Sequence, residues 1–115
     1  MKIIEANETP ETIDRKAFQR EILLGFWKIH ILHHAGERPV VGQWMLNELR
    51  SHGYDVSPGT LYPILHRMER LGWLKSETDS DSAKAKCNYY LTDHGKEVLA
   101  VVKRQIQELT DELNQ

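Results

Sequence analysis

Apolar positions fall into a helical rhythm over most of this chain and into alternation over one short stretch. From residue 14 onward, Phe18, Ile22, Phe26 and Ile29 form one stripe, and Leu23, Trp27 and Ile31 form an adjacent one. A stripe that wide predicts two burial surfaces, one for the domain's own core and one for a partner. The helix is expected to end near Ala35 and Gly36, with the glycine in a left-handed terminal conformation and Pro39 blocking continuation. A second helix is expected over about Gly42 to Ser51, with Trp44 or Met45, Leu46 and Leu49 inward. The third has the clearest start: Ser57 can cap free N–H groups, and Pro58 occupies the first helical position, where its missing N–H does no harm. Leu61, Ile64, Leu65, Met68 and Leu71 then share one face, which is expected to be buried.

After Gly72 the pattern changes. Residues 73–77 and 86–91, the second stretch rich in aromatics, predict two strands joined through the turn-forming Asp79, Ser80, Asp81 and Ser82. Such a hairpin needs the helices for support. Thr92 can cap a final helix from Asp93 to about Leu113. Val98, Val102, Ile106, Leu109 and Leu113 make a continuous seam along it, widened by Leu99 and Val101. A helix of about 30 Å overhangs so small a domain, so part of the seam predicts a partner chain. The fold class expected is mainly α with a small β-hairpin. It divides into a loose arm (1–13), a winged helix-turn-helix domain (14–91) and a dimerisation helix (92–115).

At 115 residues there is room for one core and not for two. No apolar run approaches the roughly 20 residues of a membrane span, and the acidic, interrupted N-terminus does not read as a signal peptide, so a cytoplasmic location is expected. Cys87 is the single cysteine, in keeping with a reducing compartment. The net charge of −2 excludes a protein that coats nucleic acid by global positive charge. A sequence-specific binder needs only a local basic surface, however, and here the acid concentrates in the tail: residues 57–75 carry Arg67, Arg70 and Lys75 against Glu69.

The string Ser57-Pro58-Gly59-Thr60-Leu61-Tyr62-Pro63, with Leu65, Arg67, Glu69, Leu71 and Gly72, then Tyr89-Tyr90-Leu91-Thr92 and Gly95, resembles the PadR family of bacterial transcriptional regulators. The motifs cover roughly residues 57–99, and the helix order extends the likeness over about 17–113. The resemblance implies that Ser57, Pro58, Gly59, Thr60, Tyr62 and Arg67 touch DNA. It also implies repression, relieved by a small, often aromatic, effector near the dimer interface, and the single tail helix is similar to that of the family's shorter branch. Two departures stand out. Ala83-Lys84-Ala85-Lys86 replaces the Gly and Arg usual before the Tyr-Tyr strand, and Gly42-Gln43 replaces a Gly-Tyr pair.

The residues support a DNA-facing third helix without the family name. With the apolar positions inward, Thr60, Tyr62, Pro63, His66, Arg67 and Arg70 face out, and Gly59 permits close approach of a phosphate. Lys84 and Lys86 would add point-charge contacts from the wing, which give affinity more than base discrimination. The plain alternative is a solvated helix face. Pro63 argues against it, because an interior proline costs up to about 3 kcal/mol, unless Thr60 is the true cap.

The partners expected are double-stranded DNA with an inverted-repeat operator and a second copy of the chain, held through Phe26, Trp27, Val98, Val102, Ile106, Leu109 and Leu113. Trp27 is the aromatic best placed for an effector. No cofactor and no catalysis are expected, since neither a phosphate loop nor a nucleophile elbow is present. Two other readings stand beside this one. One is a protein–protein adaptor of the same fold. The other is a metal-responsive repressor using His30 and His34, four apart on one helix, for which no third ligand is evident at helical spacing.

Overall fold

The computed structural model describes residues 9–78 and 86–115. Asp14 caps the first helix by accepting from the Ala17 N–H. Helix α1 (Arg15–Phe18) then passes through a π-helical turn (Gln19–Leu23) into α2 (Leu24–Glu37). At the π turn the Leu24 N–H donates to the Gln19 carbonyl, five residues back, so the stripe rotates there and Ile22 is left exposed. Strand β1 (Val40–Val41) leads into α3 (Gly42–Ser51), followed by α4 (Pro58–Arg70), β2 (Leu74–Thr78), β3 (Cys87–Leu91) and α5 (Asp93–Leu113). The architecture is a mostly helical winged helix with a long C-terminal helix, and α4 is the third helix of the sequence reading.

Four expectations are corrected. Helix α2 runs through Gly36 to Glu37 and stops where Arg38 turns extended ahead of Pro39; Gly36 is an ordinary helical residue. What it provides is space, since a Cβ there would meet Leu91 Cδ2 at 2.9 Å. The sheet has three strands, in the antiparallel order β1-β3-β2, with Val40 opposite Tyr89 and Leu74 opposite Leu91. Two β-branched residues between Pro39 and a helix give too short a pattern to announce a strand. Leu71 lies at the surface, because the left-handed Gly72 (φ 82°) ends the helix before the buried face reaches it. Trp27, expected at the dimer interface or at an effector, is 0% exposed at the centre of the core. Its ring lies edge-on to Tyr54, with centroids 5.9 Å apart, and its Nε1 has no hydrogen-bond partner among the described residues.

The core gathers Trp27, Ile31 and Leu32 of α2, Met45, Leu46 and Leu49 of α3, Leu61, Leu65 and Met68 of α4, and Leu74 and Tyr89 of the sheet. Burial, with the Cys87 thiol and the Glu69 carboxylate nearby, pushes the Tyr89 phenol up to about 12. Among the described residues no helix is long and apolar enough to cross a membrane.

The wing and the tail helix meet at one tight joint. The Thr92 hydroxyl accepts from the Gly95 N–H and donates to the Gly72 carbonyl, while the Thr92 N–H donates to the Trp73 carbonyl at 3.1 Å. Gly95 packs directly over that carbonyl, and a Cβ on it would stand 2.2 Å from the Trp73 oxygen and 2.5 Å from Leu91 Cδ1. Backbone cannot yield as a side chain can. Gly95→Ala is therefore expected to destabilise the protein by about 1–3 kcal/mol. Gly25→Ala, on an open helix face with nothing within 4 Å, should stabilise it by about 0.5–1 kcal/mol. Denaturant midpoints at unchanged slope check both, and an unaltered midpoint for Gly95→Ala would contradict the joint.

Candidate nucleic-acid interface

Helix α4 begins where the sequence places it. Ser57 is the cap: its Oγ accepts from the Thr60 N–H at 3.2 Å, with Pro58 at the first helical position. The entering loop is held by Arg50, whose Nε donates to the Val56 carbonyl at 3.0 Å, and by the burial of Tyr54 and Val56. These ties fix the direction in which α4 leaves the core.

Outward, Ser57, Pro58, Gly59, Pro63, His66, Arg67 and Arg70 are all exposed. At Gly59 only the Ser57 hydroxyl, at 3.8 Å, comes within 4 Å of where a Cβ would sit. Beside the capping Ser57, Gly59 thus adds no side chain at the positive end of the helix dipole, an arrangement suited to close approach of a phosphate. The single carboxylate of the helix is turned aside. Glu69 Oε2 accepts from the Ser76 N–H at 2.9 Å and from the Ser76 hydroxyl, which ties α4 to β2 and keeps negative charge off the exposed face.

Two expected contacts sit differently from the sequence reading. Thr60 is half-buried, and its hydroxyl shares a hydrogen bond with Ser57 Oγ at 3.2 Å. Tyr62 is half-buried too, its ring laid over the first residue of α3: a Cβ on Gly42 would be 2.6 Å from Tyr62 Cε1. Gly42 is thus the seat of a tyrosine from the next helix, a role that its place in the sequence pattern only hinted at. In the wing, Lys86 is exposed just before β3, whereas Lys84 lies outside the described residues.

Pro63 is a genuine interior proline. With Ser57 as cap, it stands well past the first turn, so the alternative in which Thr60 caps the helix does not hold. It removes the bond that its N–H would have made to the Gly59 carbonyl, and it faces solvent rather than the core.

The proposed interface residues on the other face divide by depth. Trp27 is core. Val98 and Val102 are half-buried where α5 leaves the sheet, and Phe26 (51%), Ile106 (43%), Leu109 (55%) and Leu113 (73%) are open. A groove of about 320 Å³ between α2 and α5 is lined by Ile29, Val102, Ile106 and Leu109.

His30 and His34 share one face of α2, as their spacing requires, and the fold brings His52 to them from the end of α3. The sequence reading found no third ligand because this one is distant in the chain. It also passed over Glu37, a helical neighbour of both His33 and His34. Burial, and then the neighbouring His52 and His34, lower the pKa of His30, so its neutral form is favoured.

Comparison with known proteins agrees with this architecture. The profile described as "Transcriptional regulator PadR-like family" matches residues 31–101. A transcriptional regulator of Mycobacterium tuberculosis, Rv3488, is 43% identical over 98 residues, spanning 85% of this chain and 88% of the relative. Among solved structures, a PadR-like transcriptional regulator from Bacillus cereus superposes with a TM-score of 0.73 at 27% identity, over 82% of this chain and 93% of that one. A PadR family transcriptional regulator from Eggerthella lenta gives 0.68 at 29% identity, over 86% and 91%.

Pro63 is exposed and costs its helix a hydrogen bond while filling no gap in the core. Pro63→Ala is expected to raise stability by about 1–2 kcal/mol, less than the full helix-interior penalty because proline also restricts the unfolded chain. The same substitution should weaken DNA binding. A denaturation curve and a binding isotherm on one preparation check both signs, and a variant that gains stability at unchanged affinity would make Pro63 a mere defect.

Proposed function

This chain belongs to the PadR-like family of transcriptional regulators, and we propose that it acts as a homodimer that inserts α4 of each subunit into adjacent major grooves of an inverted-repeat operator. It is a DNA-binding regulator and not an enzyme. The observation that carries the proposal is the outer face of α4: a capped N-terminus with Gly59 exposed, followed by His66, Arg67 and Arg70, with the one carboxylate tied to the wing. In this reading the N-terminal turn, through Ser57, Pro58 and Gly59, takes a backbone phosphate. Arg67 reaches a phosphate or the N7 and O6 of guanine. Tyr62 and Thr60, being half-buried, offer their outer edges only, and Lys86 adds a phosphate contact from the wing.

Dimerisation is proposed through α5 and the outer stripe of α2. Phe26, Ile106, Leu109 and Leu113 are large apolar residues left exposed, and Ile106 and Leu109 line one groove with Ile29 and Val102. Two α4 helices related by a two-fold axis would then read half-sites about 34–36 Å apart. Two chains this small regulate most simply by occupying a promoter, so repression is the sense proposed, and cytoplasmic DNA is where it would act. An effector, if one releases the dimer, is proposed to enter the groove beside Ile106 rather than to reach Trp27, which has no exposed surface.

Arg67→Ala is expected to weaken operator binding by about 1–3 kcal/mol and to flatten its salt dependence, with the melting temperature nearly unchanged because Arg67 is exposed. Unaltered operator affinity would remove α4 from the interface, and a shallow salt response in the unmodified protein would favour a protein target. Ile106→Asp should give a folded monomer by light scattering, and a persisting dimer would place the interface elsewhere.

A further inference from the structure

We propose that His30, His34, His52 and Glu48 form a binding site for one divalent transition-metal ion of the zinc type, bridging α2 and the C-terminal end of α3. The inference is independent of how the protein meets DNA. One ligand atom from each of the three histidines falls within a sphere of mutual distances no greater than 4.8 Å. Glu48 stands beside the group as the fourth candidate ligand: its Oε1 lies 3.5 Å from His34 Nε2 and 3.2 Å from His52 Nε2. In a tetrahedral site with bonds of about 2.0–2.1 Å, neighbouring ligand atoms stand about 3.3 Å apart, so the two Glu48 separations already match edges of such a site, and the histidine nitrogens need only draw in.

The state of the His34 ring is the second observation. Its Nε2 is buried and has no hydrogen-bond partner among the described residues, with Glu48 Oε1 3.5 Å away. Its other nitrogen, Nδ1, lies 3.3 Å from Glu37 Oε1. A histidine that gives one N–H to a carboxylate and aims a bare, buried nitrogen at a cluster of imidazoles has the form of a metal ligand with its orienting partner. His30 is held in a similar way, its Nε2 lying 3.4 Å from the Tyr54 hydroxyl.

Three neutral imidazoles and one carboxylate form a borderline donor set, which favours Zn²⁺, Co²⁺ or Ni²⁺ over Mg²⁺ or Ca²⁺. The rings are already gathered, with the His30 and His52 centroids 4.7 Å apart, and a divalent cation would join them and the carboxylate through four bonds.

A second group, His33, His34 and Glu37, shares His34 and is more exposed. The two make different predictions. In the proposed site Glu37 orients His34 from outside and His33 takes no part.

The test uses the full chain, freed of metal with a chelator and titrated with Zn²⁺ alone by calorimetry and with Co²⁺ alone by visible absorption. One ion per chain is expected, with cobalt bands of tetrahedral intensity and a rise in melting temperature on zinc addition, since an ion that binds only the folded state stabilises it. His52→Ala and His34→Ala should each lower affinity at least about tenfold, and Glu37→Gln by about tenfold through loss of orientation. His33→Ala should leave it unchanged. Circular dichroism of the metal-free variants establishes that each is folded. No binding, or binding that survives His52→Ala, would overturn the proposal; so would binding lost in His33→Ala, which would put the ion in the exposed group.

Discussion

Burial of one face of α4 sets the rest of the molecule. Leu61, Ile64, Leu65 and Met68 enter a core already filled from two other directions by α2 and α3, and they leave no freedom for the helix to rotate about its axis. Once these four are buried, the far side of the same helix must face solvent, and it carries His66, Arg67 and Arg70. A rotation large enough to hide Arg67 would expose two or more of the buried leucines and isoleucines, at roughly 2–3 kcal/mol each. Packing therefore determines which residues can meet a ligand before any ligand is considered.

The sequence made local features legible and left distant ones hidden. Ser57 and Thr92 were readable as caps because capping is decided within three residues, and the structure shows each accepting the N–H expected of it. Periodicity told which face of each helix turns inward, but not how deep a residue goes. Trp27 and Phe26 are neighbours that looked equally suited to an interface, yet one is at the core centre and the other half open. The difference comes from the roughly 100° between adjacent residues of a helix, which turns Trp27 onto Tyr54 and Phe26 away from the core, and spacing alone did not say where that boundary falls. Gly36 and Gly42 carried a signal that was easy to misread. Gly36 near a helix end suggests a terminator and Gly42 simply a helix start, whereas each is a hollow for a side chain from elsewhere, Leu91 in one case and Tyr62 in the other.

Charge follows the same division. A net charge of −2 counts against nucleic acid only if charges are spread evenly, and they are not. The acidic tail lies on α5, while Glu69, the one carboxylate that could have spoiled the face of α4, is drawn away by Ser76. That pairing joins residues seven apart across the turn at Gly72. It was not visible as a motif, but it lets a slightly acidic protein present a locally cationic surface.

Helix α3 connects the two proposed sites. Its first residue, Gly42, seats the ring of Tyr62, and its last turn carries Glu48, with His52 immediately beyond. Ten residues of helix make a stiff rod of about 15 Å, so displacement at one end is transmitted to the other rather than absorbed between them. An ion drawing Glu48 and His52 toward His30 and His34 would hold that rod against α2. The seat of Tyr62, and with it the start of α4, would then be fixed relative to the helix that carries the dimer stripe. In a two-fold dimer the separation of the two α4 helices depends on that relation, and a shift of an ångström or two is enough to misplace a half-site. The histidine cluster thus lies at the joint of α2 and α3, through which the proposed dimer geometry would reach α4.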